Sequence, residues 1–422
     1  MPHLRHNYVV NIMDGAFFGF ALGFASFVTI IPLFISRFTD SAILIGLVPV
    51  LHTAGMQLPQ LFIADLVSRQ AQHKKLVLFF TIHERLPFLM MAGIAWLSPG
   101  LNPRWVLTLT FLMLAWQGFG GGFTANSWQN MVAKIIPANQ RGTFLGLQGS
   151  ALNGLFSVGA IIAGIILVRL DTPLDFTLCF LIASGLLVVS FVSLAMTRES
   201  PSPPQQTHTH WKAFLGTLVR ILKKDRNFGW FLAGRLMTQF ASMASAFYIV
   251  YALRHFQMDE VTAGLMTGVL AISQIVANPL LGWLGDRLGH RLMLAMGGLA
   301  AGLSALVAFA APSLNWFYLV FILAGIGNVA SWTIAMSITM QFSSEAERPA
   351  YFGLANTLIA PAALAAPLLG GWMADQAGYT TTFATAAAFG LVTTLIFLLL
   401  LRDPQYSQGE YVSSEPAAAL ED

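Results

Sequence analysis

Twelve long apolar runs dominate this chain and constrain its fold more than any other feature. They occupy 8–36, 41–64, 76–98, 104–133, 142–168, 174–197, 228–253, 261–284, 291–311, 315–341, 350–374 and 380–401. A helix that crosses a bilayer needs about 20 such residues. Only 10% of the 422 residues are charged while 56% are apolar; soluble domains carry about a quarter charged. Water would precipitate such a chain, whereas lipid solvates it. None of the runs shows the ten-residue alternation of a barrel strand, and helices are the other way to satisfy backbone polar groups in lipid. The first run is longer than a signal-peptide core and reads as a spanning helix.

Charge placement orients the spans. With the N-terminus inside, sixteen of the 22 Lys and Arg residues fall in inner segments, four (Arg37, Arg104, Arg169 and Arg254) in outer loops, and Arg85 and Arg235 within spans. That asymmetry predicts both termini in the cytoplasm. Residues 198–227 form the one long connection, opening with Pro, Ser and Gln as a flexible linker. His208 and His210 there read as polar filler. Residues 211–226 set Trp211, Phe214, Leu215, Leu218 and Leu222 against Lys212, Arg220, Lys223 and Lys224, a pattern for an amphipathic helix on the inner leaflet. The expected division is an N-terminal bundle at 1–197, the linker at 198–227, a C-terminal bundle at 228–401 and a polar cytoplasmic tail at 402–422.

The halves repeat. Asp65 falls on Asp286 at a shift of 221 residues, which also places Asp14 on Arg235; Arg141 falls on Arg348 at a shift of 207. Gly282, Asp286, Arg287, Gly289 and Arg291 stand as in the signature Gly-x-x-x-Asp-Arg-x-Gly-Arg-Arg, with His290 replacing one basic residue. In that position, after an eighth span, the motif resembles the loop signature of the major facilitator superfamily. The first copy keeps Asp65 with Arg69, Lys74 and Lys75 but lacks the glycines. The resemblance, which covers nearly the whole chain, implies an all-α membrane protein with twelve transmembrane helices in two pseudo-symmetric six-helix bundles. It also implies a cytoplasmic gate in which Asp65 meets the start of the eleventh helix near Arg348, and Asp286 the start of the fifth near Arg141. Gly282 would allow close helix contact and Gly289 a tight turn.

Ionisable residues inside spans are costly and mark candidate functional positions. Glu84 and Arg85 lie about 14 Å beyond Lys75, and Asp14 and Arg235 sit about 10 Å deep, at 1.5 Å per helical residue. Either carboxylate can carry a coupling proton, and either arginine can tune it or hold an anionic group. The competing reading is structural ion pairing, Glu84 with Arg85 or Asp14 with Arg235. Polar and aromatic side chains that can line a central cavity include Gln117, Asn126, Gln239, Trp116 and Tyr248. His52 and His83 read as polar packing.

Two features depart from drug–proton antiporters of the superfamily. Gln117, Gly118 and Gly120 match their fourth-helix motif, but Leu114 stands at its arginine position, and the fifth-helix Gly-Pro pattern is absent. The single cysteine, Cys179, excludes an intramolecular disulfide. No nucleotide-binding loop, nucleophile–base set or metal cluster is legible, so the expectation is no cofactor and no catalysis. The formal charge of +3 gives no reason to invoke nucleic acid. The reading is a monomeric secondary transporter in a bacterial cytoplasmic membrane, working by alternating access. Its partners are a small-molecule substrate, lipid and protons, and export of an amphipathic, drug-like compound is favoured over nutrient uptake. A lipid scramblase or an intramembrane enzyme ranks below both.

Overall fold

The computed structural model describes residues 3–202, 211–257 and 260–404. His208, His210 and most of the polar tail lie outside the described residues. The described chain is helical: α1 (Leu4–Phe24), α2 (Ile30–Ser36), α3 (Ala42–Gln57), α4 (Gln60–Ser68), α5 (His73–Leu97), α6 (Pro103–Ile135), α7 (Arg141–Arg169) and α8 (Leu174–Ala195) precede the linker. The linker helix α9 (Trp211–Lys224) follows, then α10 (Arg226–Ala241), α11 (Tyr248–His255), α12 (Glu260–Leu288), α13 (His290–Ala310) and α14 (Trp316–Val329). The chain continues through α15 (Ala335–Thr339), α16 (Arg348–Thr357), α17 (Ala360–Ala377) and α18 (Tyr379–Leu395).

Paired in order, these helices give the twelve spans. Eleven are long and apolar enough to cross a membrane; the first is divided into α1 and α2 by a break at residues 25–29. The seventh is interrupted at Ser242–Phe247, nearly the repeat-equivalent level. Broken helices in matching positions of two halves are a recurrent device in transporter folds. Exposed Leu, Ile, Val, Phe and Trp side chains cover the outside, including Val168, Leu368 and Trp372, as lipid contact requires.

Small residues let the helices close on one another, because lipid offers no hydrophobic drive between them. On α1, a Cβ at Gly19 or Gly23 would run into the backbone of Leu152 or Phe156 on α7. At Gly302 and Gly390, α13 and α18 meet in the same way. Each half keeps its own aromatic core. Phe24, Phe34, Phe88 and Phe180 are fully buried in the first, and Tyr248, Phe317 and Phe383 in the second.

The linker helix sits where its pattern placed it in the chain but packs differently. Leu218 and Ile221 join the core of the second half beside Phe228 and Phe231, while Leu222 is exposed. Arg220 pairs with Glu347 at 2.7 Å. The buried stripe therefore grips protein as well as presenting a wet face.

Candidate functional site

Two constellations hold the predicted site residues. The first lies inside the N-terminal half. Helices α1, α5 and α8 bring together Asp14, Arg85 and Ser190. The Ser190 hydroxyl donates to Asp14 Oδ1 at 2.6 Å. Arg85 Nη2 donates to the same oxygen at 3.2 Å and to Ser190 Oγ at 2.9 Å. On the other side Arg85 Nη1 stands 3.7 Å from Glu84 Oε2, and Thr81 donates to that oxygen at 3.4 Å. The guanidinium also stacks over Phe18, 5.2 Å from the ring centre. Asp14 and Glu84 are 6% and 5% exposed, so one buried cation serves two buried carboxylates. Arg85 Nε is left without a hydrogen-bond partner.

This arrangement excludes one of the two competing ion pairs. Asp14 pairs with Arg85 of its own half, not with Arg235. Arg235 donates through Nη1 to Ala355 O at 3.0 Å and to Asn356 Oδ1 at 3.2 Å, and it has no carboxylate partner among the described residues. Glu84 and Arg85 do approach each other, but the guanidinium bridges both acids instead of closing on one. Ser190 was not foreseen; a lone serine in an apolar run carries no signal until α8 turns it toward Asp14.

Several expected cavity residues are engaged elsewhere. Gln117 Oε1 accepts from His52 Nδ1 at 3.1 Å, and His52 stacks on Phe27. Trp116 Nε1 donates to His83 Nδ1 at 3.2 Å. Both are links within the first half, in keeping with the histidines as polar packing. Tyr248 is core: it is 2% exposed, and its hydroxyl accepts from Ser304 at 2.9 Å. Gln239 and Arg235 line a cavity of about 10 Å³ with Thr238 and Ser331, room for about one water.

The second constellation joins the halves at the end where the basic loops gather. Asp286, at the end of α12, accepts from Gly142 N at 2.9 Å, Thr143 N at 2.6 Å and Thr143 Oγ1 at 2.7 Å. The carboxylate thus caps α7, where free N–H groups and the helix dipole favour a negative charge. Gly282 lets this happen: a Cβ there would collide with the Gly142 carbonyl. Gly289 has φ 94° and starts α13, a conformation that favours glycine. Asp286 thus meets the start of α7 beside Arg141, whose own guanidinium bonds the carbonyls of Ala133, Ile136 and Met340 at 2.5, 3.2 and 3.4 Å. Arg287 lies over Trp283 at 4.2 Å, and Arg291 donates to Leu401 O and, through its backbone, to Asp403. His290 is fully buried, 3.6 Å from Asp286 and bonded to Ser337 at 2.6 Å and Gln341 at 3.1 Å.

The first-half copy does not act alike. Asp65 pairs with Arg69, one turn along its own helix, at 2.6 Å, and its Oδ1 has no hydrogen-bond partner. The expected grip on the start of α16 near Arg348 is therefore absent, and the sequence holds the reason. Where α7 offers Gly142 N, α16 has Pro349, which has no N–H. Where α7 offers the Thr143 hydroxyl, α16 has Ala350. The Ala350 N–H is taken by Glu347 O at 3.0 Å. Arg348 is buried with its Nε unbonded.

Amides replace the missing latch. Asn126 Nδ2 donates to Gln60 O within its own half and to Pro349 O across the halves, each at 3.0 Å, so Asn126 belongs to the closed end and not to a cavity wall. Asn356 donates to Gln60 Oε1 at 2.6 Å, and Thr357 donates to Gln57 O at 3.0 Å. Further along α7, Ser150 donates to Ile275 O at 2.8 Å. Ser150 is nine residues past Arg141, about 14 Å along the helix. These cross-half bonds all lie between the basic end and mid-depth.

Fold and site together define a multi-pass helical membrane protein of two similar halves, closed on each other at one end, with a charge cluster buried in one half. The model of the Major Facilitator Superfamily matches residues 16–253 and 231–419. The chain belongs to the major facilitator superfamily, a family of transporters. It is 28% identical over 154 residues to the class B tetracycline resistance protein of Escherichia coli, covering 36% of this chain and 38% of that protein. It is 23% identical over 144 residues to the quinolone resistance protein NorA of Staphylococcus aureus, covering 34% of this chain and 37% of NorA. The alignments thus span little more than a third of these relatives. Among solved structures, a bacterial homologue of the iron transporter ferroportin in an outward-facing state superposes with TM-score 0.72 at 16% identity, over 94% of this chain and 99% of that one. The E. coli fucose:proton symporter FucP gives 0.72 at 15% identity, over 93% and 98%.

Proposed function

We propose that this protein is a proton-coupled exporter of an amphipathic, drug-like small molecule, working by alternating access. In this reading it sits in a bacterial cytoplasmic membrane with both termini inside. The observation that carries the proposal is the Asp14–Arg85–Glu84 cluster. Two buried carboxylates against one guanidinium make a neutral set only when one proton is bound, so the cluster has a place for a proton that can come and go. The tetracycline and quinolone resistance proteins among its relatives support export. With the basic end cytoplasmic, the closed basic end makes this an outward-facing arrangement.

Purified protein in proteoliposomes tests this reading. With an imposed pH gradient, it is expected to move drug-like substrates against their own gradient, in the direction opposite to proton flow. Transport indifferent to the pH gradient would overturn the coupling; movement of substrate with the protons would turn the reading toward uptake.

Arg235 adds an expectation about substrate. Among the described residues its charge has no carboxylate to balance it, so a compound with an acidic substituent gains by approaching it. A hydrogen bond to a charged group is worth about 1.5–3 kcal/mol. Arg235→Gln is therefore expected to raise KM for acidic substrates by tenfold or more and to leave neutral analogues within about threefold. Equal loss for both classes would assign Arg235 to structure alone.

A further inference from the structure

We propose that a cleft at the basic end of the N-terminal half binds the headgroup of an anionic phospholipid. It lies apart from the charge cluster and does not depend on the transport reading. The cleft has a volume of about 540 Å³ and is walled by the starts of α1 and α5 and the end of α8; His3, Lys74, Lys75 and Arg198 line it.

The charge there is in excess of its partners. Glu199 is the acid in the wall, and it is already committed. Its carboxylate accepts from the backbone N–H groups of His73 and Lys74 at 3.0 and 2.7 Å and pairs with Lys134 at 3.1 Å. Lys74, Lys75 and Arg198 have no carboxylate partner among the described residues. Arg198 is held toward the cleft by His3, Nη1 to Nδ1 at 3.3 Å. Three unbalanced cations around a concave pocket select a phosphate group.

What makes the ligand a lipid is the surface beside the cleft. On α5, Phe79 and Ile82 follow Lys75 at i+4 and i+7 and so share its face; they are 57% and 46% exposed. At the end of α8, Met196 and Val192, 54% and 53% exposed, climb away from Arg198. Helices α5 and α8 pack together, so two apolar stripes rise into the bilayer from the same basic pocket. A headgroup in the cleft would lay its acyl chains along them.

The test is native mass spectrometry of the full chain in detergent, titrated with phosphatidylglycerol or with phosphatidylethanolamine. The expected result is one phosphatidylglycerol held per chain under conditions that strip phosphatidylethanolamine. Each basic side chain near an anionic headgroup contributes about fivefold in affinity. The variant Lys74→Gln/Lys75→Gln/Arg198→Gln is therefore expected to weaken that binding about a hundredfold. A control of equal charge, Lys223→Gln/Lys224→Gln/Arg226→Gln on the linker, is expected to change it less than threefold. Should the triple variant fail to fold, Arg198→Gln alone is expected to cost about fivefold. Equal retention of both lipids, or equal loss in both triple variants, would overturn the proposal. Displacement of the lipid by millimolar inorganic phosphate would reduce the site to a free-anion site and overturn the assignment to lipid.

Discussion

Arg85→Gln is expected to lower gradient-driven transport at least a hundredfold, the largest effect of any single change in this protein. The variant leaves Asp14 and Glu84 buried with no cation. Removing one partner of a buried ion pair costs about 3–5 kcal/mol, because an uncompensated charge remains. The two acids can escape that cost by holding protons permanently, which ends their exchange. The Asp14→Asn and Glu84→Gln variants separate the contributions. Asp14→Asn keeps the Ser190 bond geometry and leaves Glu84 with Arg85, an already neutral pair. It is expected to bind substrate with near-normal affinity and to exchange substrate across the membrane, yet to lose the response to a pH gradient. The triple variant Asp14→Asn/Glu84→Gln/Arg85→Gln removes every charge and is expected to recover thermal stability but no coupling. Gradient-driven transport in Arg85→Gln within tenfold of the parent would show that the cluster is a structural ion pair.

Much of this was legible from sequence, and the gaps have physical causes. Twelve spans follow from apolar run length, because lipid admits few other solutions. The break in the first span has no such signal, since residues 25–29 hold neither glycine nor proline and the turn rests on Ser26, whose hydroxyl accepts from the Val28 and Thr29 N–H groups. Glu84 and Arg85 stood out as expensive charges. Their true partner set did not, because pairing across α1, α5 and α8 depends on which face each helix turns inward. The repeat sets Asp14 and Arg235 at equivalent positions of opposite halves, but equivalence of position does not say which neighbours each one faces. Asn126 looked like cavity lining because a buried amide says only that it needs partners. The failure of the Asp65 latch was in principle readable: Pro349 and Ala350 remove the donors that Gly142 and Thr143 supply.

That asymmetry leads to the second large effect. Asp286→Ala is expected to destabilise the arrangement closed at the basic end by about 3 kcal/mol, whereas Asp65→Ala is expected to change it by less than about 1 kcal/mol. Asp286 accepts three hydrogen bonds at the start of α7, and bonds to a charged group contribute about 1.5–3 kcal/mol. Their sum is partly offset by water when the end opens. Among the described residues the Asp65 carboxylate holds only an exposed Arg69, and such helix pairs are worth about 0.3–0.5 kcal/mol. Cys179 is the one cysteine, so Cys179→Ser gives a background for labelling. A cysteine placed at Ser150 should then react about a hundredfold faster with a soluble thiol reagent in the Asp286→Ala variant, and at the parental rate in Asp65→Ala. Equal acceleration in both would restore a symmetric gate.

Alternating access requires the two halves to close at one end while they open at the other. Spin labels in the cysteine-free background test it through two distances, one at each end. Asn139 and Leu288 are exposed at the basic end, on opposite halves; Ser36 and Gln257 are exposed at the far end, also on opposite halves. Double electron–electron resonance should give a short Asn139–Leu288 distance and a long Ser36–Gln257 distance in the resting protein. On adding substrate and changing pH, the two distances are expected to move in opposite senses, the first lengthening by several ångströms as the second shortens. Distances that stay fixed, or that lengthen together, would contradict it.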